Sequence, residues 1–261
     1  MPKSQLVRLV PHLGRLGRAT RWRRGHGRPR VWAHRGASAH APENTMLAFD
    51  KARDAGADGI ELDVRLDGDG HVVVFHDSSL ERLTGRRGRI EQTSEAARKD
   101  LRVGGEPIAL LADVLHAYDL EINVEIKVNQ VGREAALVAA TAKVIKASGR
   151  SDEIVVSSFD PVALVQFHRH VPEVALGYIF GQDQAFPLRR GWAGIVVGAS
   201  LVHPQHTLCT EKTVGAWHRA GRPINVWTVD DRAELLRLAA LGVDGVFAND
   251  PAAALAVFAT L

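Results

Sequence analysis

The 261 residues are 46% hydrophobic and 24% charged, which excludes a disordered chain and supplies enough apolar side chains for one sizeable core. A single cysteine, Cys209, excludes a disulfide framework and a cysteine-ligated zinc site, and fits a reducing compartment. The formal charge of +3 is unevenly placed, because residues 1–30 hold nine Lys or Arg and no acid, leaving the rest of the chain at about −6.

Residues 1–30 lack the apolar core and small-residue cleavage site of a signal peptide, and no run of roughly 18 apolar residues occurs in the sequence. A cytoplasmic protein is therefore expected, with residues 1–30 as a basic N-terminal extension, solvated and partly helical or disordered, and residues 31–261 as one folded domain. Leu6, Val7, Leu9, Val10, Leu13 and Leu16 fall near helical spacing. The alternative is thus a short basic amphipathic helix in peripheral contact with an anionic membrane surface. No nucleic-acid partner is expected.

From residue 31 onward, short β-branched runs alternate with helical patterns, the signature of repeated βα units and a parallel sheet. Strands are expected near Val31–His34, Gly59–Arg65, Val72–His76, Glu121–Lys127, Ile154–Phe159, Ala175–Phe180, Gly194–Ser200, Ile224–Val229 and Gly245–Ala248. Helices are expected near Thr45–Ala55, Leu111–Tyr118, Arg133–Ala147, Pro161–Arg169, Glu211–Ala220 and Ala233–Leu241, with at most a short helix in Gly181–Trp192. The turn signal Asp67-Gly68-Asp69-Gly70 makes Val72–His76 a hairpin partner of the preceding strand, which leaves eight units. An open doubly wound sheet shares this alternation. No G-x-G-x-x-G follows the first strand, however, and polar strand ends spread over the whole chain converge only in a closed α/β barrel of the (β/α)8 TIM type.

Residues two apart on a strand share a face. Glu61 and Asp63 therefore point together, as do Glu125 and Lys127, while Ile60, Leu62 and Val64 point the other way. Buried carboxylates cost several kcal/mol each unless paired or bound to a cation. Three of them with one nearby lysine read as a site for a hard divalent cation, Mg²⁺ or Ca²⁺. The alternative is a structural salt-bridge layer using Arg35, Arg65 and Lys127. His34 and His76 each end an apolar strand beside these carboxylates. One imidazole can accept a proton from a hydroxyl while the other donates to a leaving alkoxide, the pairing that phosphodiester cleavage needs.

Ala33-His34-Arg35-Gly36, Pro42-Glu43-Asn44-Thr45, Gly59-Ile60-Glu61-Leu62-Asp63-Val64 and His76-Asp77 follow one another in this order. Together with Leu80-Glu81-Arg82-Leu83-Thr84-Gly85, Glu125-Ile126-Lys127, Ser157-Ser158-Phe159-Asp160-Pro161 and Val226-Trp227-Thr228-Val229, they resemble the glycerophosphodiester phosphodiesterases over residues 31–255. The resemblance implies a TIM-type barrel that hydrolyses glycerophosphodiesters to an alcohol and glycerol 3-phosphate. It makes His34 and His76 the catalytic pair, and Glu61, Asp63 and Glu125 the metal ligands. Arg35 and Lys127 become phosphate contacts, Trp227 an apolar wall on the glycerol side, and Glu43 and Asn44 orienting groups, although Asn44 also suits the N-cap of the following helix.

The sequence departs from the family pattern at Pro107-Ile108-Ala109-Leu110, where Ile-Pro-Thr-Leu is usual, and at Ala248, where Thr is frequent. The connection after His76 is modest and carries no large inserted domain, so the alcohol side of the substrate is expected to be loosely enclosed. Two other functions remain open at this stage. One is a lysophospholipid-directed phosphodiesterase or cyclising lyase of the same fold; the other is a non-catalytic phosphate- or lipid-binding scaffold. Neither the oligomeric state nor the choice of water or the substrate's own hydroxyl as nucleophile is legible.

Overall fold

A computed structural model describes residues 20–22, 27–128, 133–184, 193–194 and 197–261. Most of the basic extension and of Gly181–Trp192 lies outside the described residues.

Among the described residues, eleven strands occur in chain order: β1 (Arg30–His34), β2 (Gly59–Leu66), β3 (Val72–Val74), β4 (Arg102–Val103), β5 (Glu106–Pro107), β6 (Glu121–Ile126), β7 (Ile154–Ser158), β8 (Ala175–Phe180), β9 (Leu201–Pro204), β10 (Asn225–Val226) and β11 (Gly245–Ala248). Eight of them form one parallel sheet in the order β10-β11-β1-β2-β6-β7-β8-β9. Bridges Val202–Ile224 and Gln205–Trp227 join its two ends. The result is a closed (β/α)8 barrel. β3 pairs antiparallel with β2 through Val64–Val74, Arg65–Val73 and Leu66–Val72, as the Asp-Gly-Asp-Gly turn implies.

Every residue of β2 is buried, because a barrel strand faces helices on one side and the lumen on the other. Ile60, Leu62 and Val64 pack outward with Phe49, Ala52, Leu111 and Val114 in the main apolar cluster. The alternate positions carry the polar side chains into the lumen. Side-chain caps begin several surrounding helices: Thr45 accepts from Ala48 N ahead of Met46–Asp54, Asp160 from Val162 N ahead of Pro161–His170, and Asp231 from Glu234 N ahead of Arg232–Leu241. Gly149 and Gly242 close their helices at φ 71° and 80°, in the left-handed region that glycine enters without penalty.

Three expectations need correction. The apolar stretch Gly194–Ser200 is not a barrel strand: Val197 N bonds back to Ala193 O and Ala199 N to Gly194 O, and Gly198 has φ 72°, so the backbone turns before β9 starts at Leu201. The ladder expected over Ile224–Val229 shrinks to Asn225–Val226 plus the two closing bridges. A last helix, Pro251–Phe258, was not foreseen, although Asp250-Pro251 repeats the cap-plus-proline signal of Asp160-Pro161.

The division expected at residue 30 runs through packed structure. Trp22 is buried beneath the lumen, its ring 5.8 Å from that of Trp32, in a cluster with Val155, Ala175, Leu201 and Phe247. Arg30 pairs with Glu121 at 2.7 Å and donates to Arg21 O at 3.1 Å, fixing this turn against the strand starts. Truncating a buried tryptophan typically costs about 3–5 kcal/mol. Trp22→Ala is therefore expected to lower the unfolding free energy by roughly that amount in a urea titration. A change under about 1 kcal/mol would mean that Trp22 does not close the barrel foot. Among the described residues, no helix is long and apolar enough to cross a membrane.

Candidate active site

The sequence-predicted groups meet at the C-terminal end of the barrel, where α/β barrels place their chemistry. Lumen-facing positions two apart deliver Glu61 and Asp63 from β2 and Glu125 from β6, and one carboxylate oxygen of each lies within 4.8 Å of the others. The in-register pair Asp63–Glu125 brings two of these residues side by side. Lys127 Nζ reaches Asp63 Oδ1 at 2.9 Å and Glu125 Oε1 at 2.5 Å, and Arg35 Nε lies 3.3 Å from Asp63 Oδ2. Arg65, a candidate for a salt-bridge layer, turns away to Glu91 at 3.0 Å and donates to His76 O at 2.7 Å.

Among the described residues, Glu61 has no Lys or Arg side chain at ion-pair distance: it accepts from Arg35 N at 2.9 Å, and His34 Nε2 stands 4.0 Å away. Burial, with Asp63 and Glu125 nearby, raises its pKa well above the usual carboxylate range. Burial also raises Glu125 despite Lys127. Asp63 goes the other way; burial opposes ionisation, but Lys127 and Arg35 outweigh it and hold the carboxyl low. One carboxyl held ionised by two cations, with its buried Oδ1 still lacking a hydrogen bond, and two whose pKa burial raises do not make a closed ion-pair layer. This donor set fits a hard divalent cation, since Mg²⁺ and Ca²⁺ take carboxylate oxygens at about 2.0–2.6 Å.

The two histidines are prepared differently. His34 Nδ1 lies 2.8 Å from Asn249 Oδ1, an oxygen that also accepts from Ser38 Oγ at 3.0 Å. Asn249 Nδ2 donates to Asp230 Oδ2 at 2.6 Å and Asn249 N to Asp230 Oδ1 at 2.7 Å, which fixes the amide orientation. His34 therefore donates from Nδ1 and presents a bare Nε2 toward Glu61. Burial, reinforced by the charge of Arg35, lowers its pKa to about 4, so the ring is neutral at pH 7. His76 Nδ1 lies 2.6 Å from Asp77 Oδ1. Burial lowers His76 as well, while Asp63 and Asp77 counter it by favouring its imidazolium.

The segment between β1 and its helix is held by backbone of high local cost. Arg35 and Asn44, neither of them glycine, have φ 57° and 58°, and Asn44 N bonds Arg35 O at 2.9 Å. Such positions cost about 1–3 kcal/mol each and persist where surroundings enforce them. Asn44 Nδ2 donates to Asp63 Oδ2 at 2.8 Å, and its Oδ1 accepts from Asp63 N at 3.2 Å. Thr45, not Asn44, caps the helix. Glu43 accepts from Arg35 Nη1 at 2.8 Å.

These groups border a cavity of about 190 Å³. Its polar side includes His34, Arg35, Glu61, His76, Glu125 and Lys127; its apolar side includes Phe159, Ile179, Trp227 and Phe247. Trp227 is fixed by an Nε1 donation to His203 O at 2.8 Å and an edge contact to Phe159 at 5.5 Å between ring centres. Several participants escaped the sequence reading as site residues. Arg82 and Asp77 sat in recognised motifs without an assigned role. Asp230 and Asn249 have no role assigned by the sequence, because their link to His34 exists only once β11 lies beside β1. Asn123 and His203, buried in the lumen, line the cavity floor. Asn123 shares its strand face with Glu125, whereas His203 lies on β9, outside the strand expected at Gly194–Ser200.

A model of the glycerophosphoryl diester phosphodiesterase family matches residues 34–253. A glycerophosphodiester phosphodiesterase of Caldanaerobacter subterraneus is 32% identical over 235 residues, covering 85% of this chain and 94% of the relative. One of Bacillus altitudinis is 31% identical over 241 residues, covering 85% and 95%. Among solved structures, a phosphodiesterase of Oleispira antarctica in complex with the product sn-glycerol-3-phosphate is similar with a TM-score of 0.80 and 30% identity, covering 88% of this chain and 96% of that one. A glycerophosphodiester phosphodiesterase of Thermotoga maritima gives 0.74 and 29%, covering 89% and 100%. With the barrel, the carboxylate cluster and the paired imidazoles in place, this chain belongs to the glycerophosphoryl diester phosphodiesterase family and is a phosphodiester hydrolase.

Proposed function

We propose that the protein hydrolyses glycerophosphodiesters to an alcohol and glycerol 3-phosphate in a metal-dependent reaction, with His34 as general base and His76 as general acid. The observation that carries this reading is the buried, under-compensated Glu61 carboxylate beside two imidazoles whose partners differ, an amide for one and a carboxylate for the other. Glu61, Asp63 and Glu125 would hold the cation, Mg²⁺ or Ca²⁺, which when bound neutralises charge on the phosphoryl oxygens and polarises the attacking oxygen.

Arg35 offers a guanidinium fork and Lys127 a point charge to the phosphate, both poised at the carboxylate cluster. Asn44 keeps Asp63 in place and Glu43 keeps Arg35 in place. Trp227, with Phe159, provides a rigid apolar wall against the carbon face of glycerol. Neutral His34 takes the proton of the attacking hydroxyl on Nε2, because Nδ1 is committed to Asn249. His76, its ring oriented by the Nδ1 contact to Asp77, gives its proton to the departing alkoxide. The cavity of about 190 Å³ is smaller than the roughly 300–1,000 Å³ of sites for drug-sized ligands, which suits a deacylated substrate.

Enzymatic detection of glycerol 3-phosphate released from glycerophosphocholine and glycerophosphoethanolamine tests this, with lysophosphatidylcholine vesicles in parallel. Release from the two soluble diesters, at rates unaffected by added vesicles, is the expected result. Turnover of the vesicle substrate alone would transfer the function to a lysophospholipid-directed activity, and no turnover of any would favour a binding scaffold.

A further inference from the structure

We propose that Arg82, a residue outside the cavity lining, is a positioning residue that sets the proton donor and the phosphate-binding arginine together. The assignment rests on the acid role given to His76. Arg82 lies in the short helix Glu81–Thr84, which ends at Gly85 with φ 67°. Its Nε donates to Asp77 Oδ2 at 2.5 Å and its Nη2 to Asp77 Oδ1 at 3.0 Å. Its Nη1 donates to Glu43 Oε2 at 2.8 Å and its Nη2 also to Glu43 Oε1 at 2.9 Å. One guanidinium thus grips both oxygens of two carboxylates.

Each carboxylate passes the restraint on. Asp77 Oδ1, gripped by Arg82, also receives His76 Nδ1 at 2.6 Å. Glu43 Oε1, likewise gripped, also receives Arg35 Nη1 at 2.8 Å. Residues 43 and 77 enter from different strand-to-helix connections, so without Arg82 nothing described ties the two branches together above the cavity. Four of the five guanidinium N–H groups are committed to carboxylates, which leaves little to offer a substrate phosphate. The side chain is also half exposed; a charge pair in that setting contributes little to global stability. Its importance is geometric. The hydrogen bonds from Arg82 are the largest cause holding Asp77 down at about 2, so the partner of His76 stays an anion at every working pH.

A lysine cannot reproduce this, since a single ammonium lacks the planar fork that spans two carboxylates. The two branches also separate kinetically. Loss of the Asp77 branch frees the His76 ring and acts on the chemical step, whereas loss of the Glu43 branch frees Arg35 and acts on phosphate binding.

The test is steady-state kinetics on glycerophosphocholine for wild type, Arg82→Ala, Arg82→Lys, Asp77→Asn, Glu43→Gln and His76→Ala, with and without millimolar guanidinium. Removing groups that orient a site typically costs on the order of 10–100-fold. Arg82→Ala is expected to lose kcat by about that factor and to raise KM as well. Asp77→Asn should affect chiefly kcat and Glu43→Gln chiefly KM. Guanidinium should restore part of the activity of Arg82→Ala but not of Arg82→Lys, whose ammonium fills the space, while melting temperatures stay close to wild type. Wild-type kcat and KM in Arg82→Ala would overturn the assignment, as would a loss that guanidinium does not relieve and that tracks a lowered melting temperature. An inactive His76→Ala beside a fully active Arg82→Ala removes only the Arg82 role. A fully active His76→Ala removes the acid role of His76 and, with it, this inference.

Discussion

His34→Ala and His76→Ala are each expected to lower kcat on glycerophosphocholine by about 10²–10⁴-fold, the usual contribution of a positioned acid or base. They should differ when the leaving group changes. An alkoxide needs a proton as it departs, whereas a nitrophenolate leaves unassisted. His76→Ala is therefore expected to recover much of its deficit on a p-nitrophenyl phosphodiester, and His34→Ala to stay impaired on both substrates. The physical basis is the contrast in partners: Asn249 keeps His34 in the Nδ1–H tautomer and burial keeps it neutral near pH 7, while Asp77 supports charge on His76. Equal losses for both variants on both substrates would reverse or erase the assignment.

The second large effect concerns the carboxylate cluster. In the metal-free protein Glu61 has a pKa raised by burial and by Asp63 and Glu125. An acid whose folded-state pKa lies above its unfolded value contributes stability that is complete below the unfolded pKa and is lost as pH rises through the folded one. At neutral pH its ionised form is thus a net liability to the empty fold. Asp63, held low by Lys127 and Arg35, has the opposite sign: its contribution is present above the unfolded pKa and lost as pH falls through the folded value. Glu61→Gln removes the charge at nearly constant volume, so the chelator-treated variant is expected to melt higher at pH 8 than chelator-treated wild type, with the gap shrinking toward pH 5. Binding a divalent cation reverses the ranking. At 100 times the dissociation constant a ligand stabilises by about 2.7 kcal/mol, which for a chain of this size corresponds to roughly 5–10 °C. Calorimetry with added Mg²⁺ or Ca²⁺ should show this rise in wild type and little of it in Glu61→Gln. A variant less stable than wild type under chelation, or an equal cation response in both, would show that Glu61 is not a strained ligand.

Legibility from sequence followed the range of the physics involved. The alternation in Gly59–Val64 and Val124–Lys127 exposes the lumen-facing carboxylates directly, because the period of two is a local property of the strand. The DGDG turn similarly reveals β3 as a hairpin partner, which leaves eight barrel strands, the number observed, although one lies at Leu201–Pro204 rather than Gly194–Ser200. Local pattern misled at Gly194–Ser200, where an apolar run resembles a buried strand but the barrel strand begins only at Leu201. Trp22 was hidden for a different reason: its arginine-rich neighbourhood suggests solvent, and only the closed barrel creates the apolar foot that it fills. The links Arg82–Glu43 and Asp230–Asn249–His34 depend on loops meeting across the barrel mouth, a long-range consequence of closure. The role of Asn44 was open in the sequence for a related reason, since a cap and a carboxylate partner require the same side chain; Thr45 taking the cap leaves the amide for Asp63.

The most direct test of the account is a metal titration of glycerol 3-phosphate release by chelator-treated protein, wild type beside Glu61→Ala. No release without metal, saturable recovery in wild type on adding Mg²⁺ or Ca²⁺, and no recovery in the variant are the expected results. Full release from the chelated wild type, or recovery in Glu61→Ala indistinguishable from it, would contradict a cation held by Glu61, Asp63 and Glu125.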